Sequence, residues 1–324
     1  MVDTDAPAEL RAAAVRSVYL PSLALAALTA WLAWYGWSAL SAYDSIAVIR
    51  AGQLRNAGPI VLGFVTVVLA IEHLRPAQRR AFRARGPQLD FGYFVAYALV
   101  VMPLVTLLGA GFATLLQRHA EWLVLPRLSL MPRAGMIVIG LLAIDGTDWL
   151  VHLINHKINP FWRMHAVHHS QEELGVLTTF RAHPLVHLSF VLSVVPGFVL
   201  TSNAATPTTL TTVYACLGTL PHANVDWSYG LAGRILVSPA YHRIHHRACG
   251  RLDINLGVVF TIWDSLTGRA IYPEGDRLIS ETGLAGRPVP IEQNDGKRGL
   301  TRTFVRQWAE PFTQPSLRSG AEDA

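Results

Sequence analysis

The sequence predicts an all-α protein, a multi-pass membrane helical bundle that carries a histidine-rich helical cap on its cytoplasmic side. Three observations predict it. Of the 324 residues, 51% are hydrophobic and only 15% are charged, whereas soluble domains average about 25% charged residues. The apolar residues occur in long blocks, and 11 of the 13 histidines lie between positions 152 and 246. The blocks predict the bundle, and the histidines predict the cap.

Long apolar blocks define the predicted membrane segments. A helix needs about 20 predominantly apolar residues to cross the hydrocarbon core of a bilayer. Blocks near that length predict four spans, at residues 18–40, 59–74, 91–116 and 134–156. Two shorter blocks, 184–200 and 208–220, predict a hairpin that enters the bilayer without fully crossing it.

The orientation follows from one basic loop. This loop, 75–85, carries five arginines, and short loops rich in Lys and Arg are typically cytoplasmic. Alternation of the spans then places the N-terminus inside and the loop 117–133 outside. The histidine-rich region and residues 222–324 are predicted on the cytoplasmic side. We expect no cleaved signal peptide, because no short apolar core with a small-residue cleavage site opens the chain.

Composition and motif content exclude several function classes. The net charge of +5 comes without a basic stripe interleaved with aromatic residues, so nucleic-acid binding is not expected. The two cysteines form no CxxC motif and no disulfide framework. No GxSxG, P-loop or GxGxxG motif indicates hydrolase, NTPase or dinucleotide chemistry. A redox enzyme of this sequence would therefore take its electrons from a partner protein.

The histidines fall into patterned groups. The motifs are HxxxH at His152 and His156, HxxHH at His165, His168 and His169, HxxxH at His183 and His187, a single His222 before Ala223-Asn224, and HxxHH at His242, His245 and His246. Helical residues four apart share one face, about 6 Å apart. Adjacent residues point about 100° apart, so the two last histidines of HxxHH can reach two different metals.

The combined motifs predict two metal ions held from opposite sides. A single HxxxH often arises by chance, but two HxxHH and two HxxxH motifs beside membrane spans do not. Imidazole suits iron, zinc and copper, and no cysteine lies within the motifs. The two remaining histidines, His73 and His119, are predicted to be interfacial and not ligands.

These motifs resemble those of the fatty acid hydroxylase / sterol desaturase superfamily of membrane di-iron enzymes. The matching residues run from Asp145 to Gly268. They comprise FWRMHAVHHS at 161–170, TFRAHPL at 179–185, HAN at 222–224, SP followed by HRIHH at 238–246, DINLG at 253–257 and WDSL at 263–266. The chain departs from the family pattern at Val186, where an acidic residue is common, and at Thr267-Gly268-Arg269, where Phe-Gly-Thr is common.

The resemblance implies a ligand set and a domain division. It implies that two irons are bound by His152, His156, His165, His168, His169, His242, His245 and His246. We add His183, His187 and His222. The alternative for the first two is a helix cap and an interfacial histidine, and for the third a satisfied buried histidine. The division is an N-terminal transmembrane region (1–133), a fatty acid hydroxylase-like catalytic domain (134–270) and a cytoplasmic C-terminal segment with a flexible tail (271–324).

Polar residues near the motifs are candidates to support the metal ligands. Asp145 lies seven residues before His152, nearly on the same helical face, and can accept a proton from a ligand ring as outer carboxylates do. Asp148 competes for this role, and the alternative for Asp145 is a polar residue in a water-filled notch. We predict Asp145 and Asn224 as catalytic residues. Further candidates are Asp226, Asp253, Asn255 and Asp264.

The predicted activity is oxidation of a lipid by dioxygen. Two irons, O2 and a redox partner, a ferredoxin or a cytochrome b5-like protein with its reductase, would hydroxylate or desaturate a fatty acyl chain, a sterol or a related lipid. Three alternatives stay open: a membrane electron carrier with bis-histidine haem, a zinc enzyme, and a non-catalytic metal-binding protein. The absence of an HExxH motif disfavours a zinc protease.

Overall fold

The computed structural model describes residues 58–78, 85–125, 131–187, 191–192, 196, 205–273, 281–285 and 296–313. Within these ranges the fold is helical, as predicted, and holds no β-strand. Two isolated antiparallel bridges join Leu236 to Phe260 and Arg247 to Thr282. The predicted span 18–40 and most of the predicted hairpin segment 184–200 lie outside the described residues.

In the part of the chain that the structure describes, two helical segments are long and apolar enough to cross a membrane, at residues 86–116 and 134–157. The first segment contains two α-helices, α1 (Arg85–Ala96) and α2 (Met102–His119), and the second is α3 (Arg133–Lys157). The preceding helix, α0 (Gly58–Leu74), is apolar but shorter. Two of the four predicted spans thus coincide with such segments.

A π-helical turn at Tyr97–Val101 joins α1 to α2. Pro103 follows this turn, in the first residues of α2. Proline has no N–H and so cannot complete the regular helical hydrogen bond, and a wider local turn accommodates its ring. The π-helical turn thus lies immediately before Pro103.

Shorter elements form the histidine-rich region. They are α4 Asn159–His169, α5 Pro184–His187, α6 Ala205–Thr219, α7 Pro239–His245, α8 Ile262–Leu266 and 3-10 turns at Glu121–Leu123, Val176–Phe180, Leu220–His222 and Gly230–Arg234. Proline stands in the first turn of α4, α5 and α7, where its missing N–H has no cost. The Ser238 side chain accepts a hydrogen bond from the Tyr241 N–H and caps α7.

The last described helix, α9 (Gly296–Thr313), packs against the histidine-rich region. Its Phe304 ring lies 4.7 Å from that of Tyr93 on α1, and the Tyr93 hydroxyl donates to Gln307 Oε1 at 2.9 Å. Trp308 packs on the same cluster as Trp162 of α4. The C-terminal segment, predicted to end in a flexible tail from about residue 311, thus contains a docked helix up to 313.

Candidate metal centre

Two groups of buried histidines lie side by side in the helical cap. One contains His152, His156, His165, His169 and His245, and the other contains His168, His222, His242 and His246. Within each group one ring nitrogen per residue lies within 4.8 Å of all the others. Eight of the nine side chains are buried and His152 is half-buried. Nine of the eleven predicted metal-site histidines are therefore brought together.

The adjacent histidines of each HxxHH motif separate into different groups. His169 of α4 lies in the first group and His168 in the second, and His245 and His246 divide in the same way. The roughly 100° between successive helical residues produces this separation. The rings of His169 and His246 stack across the boundary, with centroids 4.5 Å apart and an interplanar angle of 23°.

Backbone oxygens fix the orientation of three rings. Nδ1 of His152 lies 2.8 Å from the Leu256 carbonyl, Nδ1 of His245 lies 2.8 Å from the Ile254 carbonyl, and Nδ1 of His168 lies 3.1 Å from the Arg181 carbonyl. A carbonyl only accepts, so each Nδ1 carries the proton. Each Nε2 is then an unprotonated nitrogen that faces its group, as metal-bound histidines require.

The short distances between Nε2 atoms are those expected if each group binds a cation. Nε2 of His222 lies 3.0 Å from Nε2 of both His168 and His242, and Nε2 of His152 lies 3.0 Å from Nε2 of His165. Metal bonds of about 2.1 Å place neighbouring octahedral ligands about 3.0 Å apart and opposite ones about 4.2 Å apart. The spacing within each group therefore suits ligands of one ion.

Unpartnered nitrogens support the same fit. Both ring nitrogens of His169 and of His246, and Nε2 of His156, have no hydrogen-bond partner within the described part of the chain. Leaving a buried donor or acceptor unsatisfied costs about 1–3 kcal/mol. A cation bound at each group would satisfy one unprotonated nitrogen of each of these rings. The donor set, imidazole only, suits iron, zinc or copper.

Burial also keeps the rings in the form that binds metal. It lowers the pKa of His168 to about 3 and holds the pKa of His169 and His246 well below the ordinary value. Neighbouring imidazoles lower the pKa of these rings further, because adjacent positive charges would repel each other. The rings are therefore neutral at pH 7 and ready to coordinate.

The loop that supplies two of the carbonyls is held by Asp264. Its Oδ1 accepts from Trp149 Nε1 at 2.9 Å and the Leu256 N–H at 3.0 Å, and its Oδ2 accepts from the Tyr241 hydroxyl at 3.0 Å and the Gly257 N–H at 2.9 Å. The carboxylate is fully buried. It thus joins the candidate spanning helix α3, helix α7 and the loop 254–257.

Asn255 stands between the two carbonyls in a left-handed conformation, with φ of 53°. Asparagine adopts this region more readily than most residues. Its amide donates to the carbonyls of Tyr241 and Ile271 at 2.9 and 2.8 Å and its Oδ1 accepts from the Ile271 N–H at 2.7 Å. The candidates Asn255 and Asp264 therefore shape the loop whose carbonyls contact His152 and His245.

Replacing Asp264 by alanine is expected to destabilise the protein by about 3 kcal/mol, because four buried donors lose an ionised acceptor. Iron content should fall with it, since the carbonyls that orient His152 and His245 lose their support. Thermal unfolding and iron analysis of purified protein in detergent would measure both effects.

Asp253→Ala is the matched control for this change. Asp253 forms surface ion pairs with Lys157 at 2.6 Å and Arg251 at 2.9 Å, and exposed pairs contribute only about 0–1 kcal/mol. Equal stability losses for the two variants would contradict the role assigned to Asp264.

Asp145 and Asn224 lie near the histidines but bind other partners. Asp145 Oδ1 accepts from the Val259 N–H at 2.8 Å and Oδ2 accepts from the Phe260 N–H at 3.1 Å and Trp263 Nε1 at 3.0 Å. It therefore connects α3 to the loop 259–263. Within the described residues no histidine ring hydrogen-bonds to either predicted side chain.

Asn224 lies next to the turn that carries His222, and its side chain hydrogen-bonds to the backbone of Gln78, which follows α0. Its Nδ2 donates to the Gln78 carbonyl at 2.9 Å and its Oδ1 accepts from the Gln78 N–H at 3.0 Å. Glu72 Oε1, which the sequence did not single out, accepts from the N–H groups of Asn224 and Val176 at 2.7 Å each. Asp148 is buried within reach of Tyr214, and Asp226 is exposed.

His183 and His187 lie outside both histidine groups. Nε2 of His183 donates to the Trp308 carbonyl at 3.1 Å and its Nδ1 accepts from the Leu185 N–H at 3.2 Å. His187 is buried with its ring edge-on to Tyr97 at 4.9 Å. Burial lowers the pKa of both to about 4. His183 thus has the partners of the helix-cap alternative, and His73 and His119 are exposed.

The described part of the chain combines long apolar helices that could cross a membrane with two buried histidine groups that could each hold a metal ion. Residues 137–269 match the fatty acid hydroxylase family. The match covers about two fifths of the chain and confirms the resemblance of the motifs.

Characterised relatives are lipid-oxidising enzymes. An ornithine lipid hydroxylase of Rhizobium tropici is 30% identical over 186 residues, which cover 56% of this chain and 52% of the relative. The alkylglycerol monooxygenase of Homo sapiens is 30% identical over 132 residues, 39% of this chain and 28% of the relative. The alkylglycerol monooxygenase of Danio rerio is 28% identical over 146 residues, which cover 43% of this chain and 31% of the relative. The chain thus spans about half or less of these relatives. No solved structure matches it.

Proposed function

We propose that the protein is an integral-membrane di-iron oxygenase that hydroxylates or desaturates a lipid. The observation that carries the proposal is the pair of histidine groups, in each of which one ring nitrogen per residue lies within 4.8 Å of all the others. Nine imidazoles exceed the three ligands that one catalytic zinc uses. The relatives' names favour hydroxylation over desaturation and a lipid as substrate.

Bound iron would supply the redox chemistry that lets dioxygen react with an unactivated C–H bond. Hydroxylation consumes one O2, two electrons and two protons for each alcohol formed, and it releases water. The nine histidines would hold both ions, the fixed carbonyls would orient the rings, and burial would exclude water. No dinucleotide motif occurs in the chain, so a ferredoxin or cytochrome b5-like partner with its reductase supplies the electrons.

We propose that the chain is a multi-pass membrane protein whose histidine groups lie on the cytoplasmic side. The two long apolar helices and the lipid-oxidising relatives support a membrane protein, and the basic loop 75–85 supports the orientation. The proposed domains are a membrane region at 1–133, a catalytic domain at 134–270 and a C-terminal segment at 271–324.

Lipid mass spectrometry of cells with and without the gene tests the activity. A product heavier by one oxygen atom indicates hydroxylation, and one lighter by two hydrogens indicates desaturation. Purified, iron-supplied protein should contain about two Fe per chain. Active protein with one Fe or less contradicts the di-iron proposal, and two Fe without an oxygen-dependent product supports the non-catalytic metal-binding alternative.

A further inference from the structure

Seven large apolar side chains on neighbouring segments of the catalytic region are exposed, and we call them the apolar patch. They are Trp227, Leu231, Ile235, Leu236, Ile262, Leu266 and Ile271. The two most exposed of these side chains are leucines: Leu231 is 91% exposed and Leu266 is 73% exposed. Water-facing surfaces rarely gather this many large apolar groups, and such patches mark contacts with a partner or a membrane.

Backbone contacts place these segments next to each other. The Thr261 N–H donates to the Ile235 carbonyl at 3.0 Å and the Val237 N–H donates to the Val259 carbonyl at 2.9 Å. Leu236 and Phe260 form an antiparallel bridge. The patch is therefore one surface, formed by residues 227–236 on one side and 262–271 on the other.

The patch is anchored to the middle of the candidate spanning helix α3. Asp145, near the midpoint of 134–157, binds the N–H groups of Val259 and Phe260 and the indole of Trp263. At Gly146 a Cβ would come within 2.9 Å of the Trp263 ring, so the indole packs directly on the helix backbone. At 1.5 Å per residue, this contact lies about 17 Å from either end of the span.

The length of the apolar part of α3 indicates how deep in the bilayer the patch lies. The purely apolar part of the helix, residues 134–144, is only about 17 Å long, whereas the hydrocarbon core is about 30 Å thick. A bilayer that surrounds this helix therefore extends past Asp145. At that level α3 is flanked by residues 258–266, whose outer side carries exposed Ile262 and Leu266.

Basic side chains border the patch. Arg234 lies between Leu231 and Ile235 with its guanidinium 4.2 Å above the Tyr272 ring, and Arg269 follows Leu266 in the adjoining turn. Arginine side chains that border a lipid-facing surface can extend toward the anionic headgroups of the bilayer.

We infer that the apolar patch is a membrane-docking surface that inserts into the bilayer beside α3. The inference rests on the proposed membrane location but not on the oxygenase activity. It modifies the predicted cytoplasmic placement of residues 222–324, because part of this region contacts lipid. Substrate dissolved in the bilayer would then meet the catalytic region from the side, without first entering water.

Fluorescence quenching at single labelled cysteines tests the inference. Leu231→Cys and Leu266→Cys are made in full-length protein with Cys216→Ala and Cys249→Ser, labelled with an environment-sensitive dye and placed in nanodiscs of phosphatidylcholine and phosphatidylglycerol. Native Cys249, which is exposed and lies among Arg247 and Arg251, is labelled in the Cys216→Ala protein as the aqueous control. The quenchers are brominated lipid and aqueous iodide, and nanodiscs leave both faces open to iodide.

We expect brominated lipid to quench the dye at 231 and 266 several-fold more than at 249, and iodide to show the reverse order. Iodide quenching at 231 and 266 equal to that at 249 would place the patch in water and overturn the inference. Protection from both quenchers would indicate a second copy of the chain on the patch and would also overturn it. Either result leaves the lipid-oxidation assay unaffected, so the two proposals fail separately.

Discussion

Replacing His169 or His246 by alanine is expected to lower turnover by about 10³-fold. Each ring is fully buried, has no hydrogen-bond partner within the described residues, and belongs to a different histidine group. Loss of a residue that only orients a ligand typically costs 10- to 100-fold in metal affinity or activity, and a lost ligand should cost more. Because each ring serves one group, iron should fall from about two per chain toward one.

Two controls separate ligand loss from a general effect of removing histidine. His119 is exposed at the end of α2, so His119→Ala should change neither iron content nor turnover. His183 is buried but lies outside both groups, with Nε2 bound to the Trp308 carbonyl, so His183→Ala should keep its iron. Near-wild-type turnover of either His169→Ala or His246→Ala would show that the HxxHH motifs do not hold the metals.

Replacing Asp90 by alanine is expected to destabilise the protein by about 3–5 kcal/mol, the usual cost of stranding one member of a buried ion pair. Asp90 Oδ1 lies 3.0 Å from Arg181 Nη1, and both side chains are buried. Its Oδ2 accepts from Gln171 Nε2 at 2.7 Å and Thr178 Oγ1 at 2.9 Å. Because the Arg181 carbonyl binds His168, iron should be lost as well. Thermal unfolding and iron analysis would measure the two effects.

The double variant Asp90→Ala/Arg181→Met is the matched control. It removes both buried charges while it keeps the backbone carbonyl at position 181, and such replacements often recover stability. We expect it to unfold at a higher temperature than Asp90→Ala. An Asp90→Ala protein as stable as the wild type would show that this pair does not support the histidine turn.

Local motifs predicted the histidine groups well because helix geometry is local. HxxHH directs its last two rings apart wherever it lies on a helix, and α4 and α7 separate His168 from His169 and His245 from His246. The same logic placed His183 and His187 one turn apart. Spacing alone could not reveal that α9 offers the Trp308 carbonyl to His183, because that contact joins residues 125 apart.

Support of the ligands was harder to predict, because much of it comes from backbone oxygens. The carbonyls of Arg181, Ile254 and Leu256 carry no side-chain signature, and their positions depend on distant carboxylates such as Asp90 and Asp264. Asp145 was predicted to accept a hydrogen bond from the ring of His152, two turns away on the same helix. Its observed partners at 259–263 lie more than 100 residues away, a distance at which periodicity gives no information.

Each histidine group draws its members from three separate chain segments: α4 and α7 contribute to both, α3 to the first and the turn at His222 to the second. An ion that binds such a group ties these segments together, so its binding free energy adds to the free energy of folding. If iron binds as proposed, chains that load it would be held closed, whereas chains that do not load it would open locally more often and be exposed to proteolysis. The iron supply of the cell would then affect how much of this protein persists.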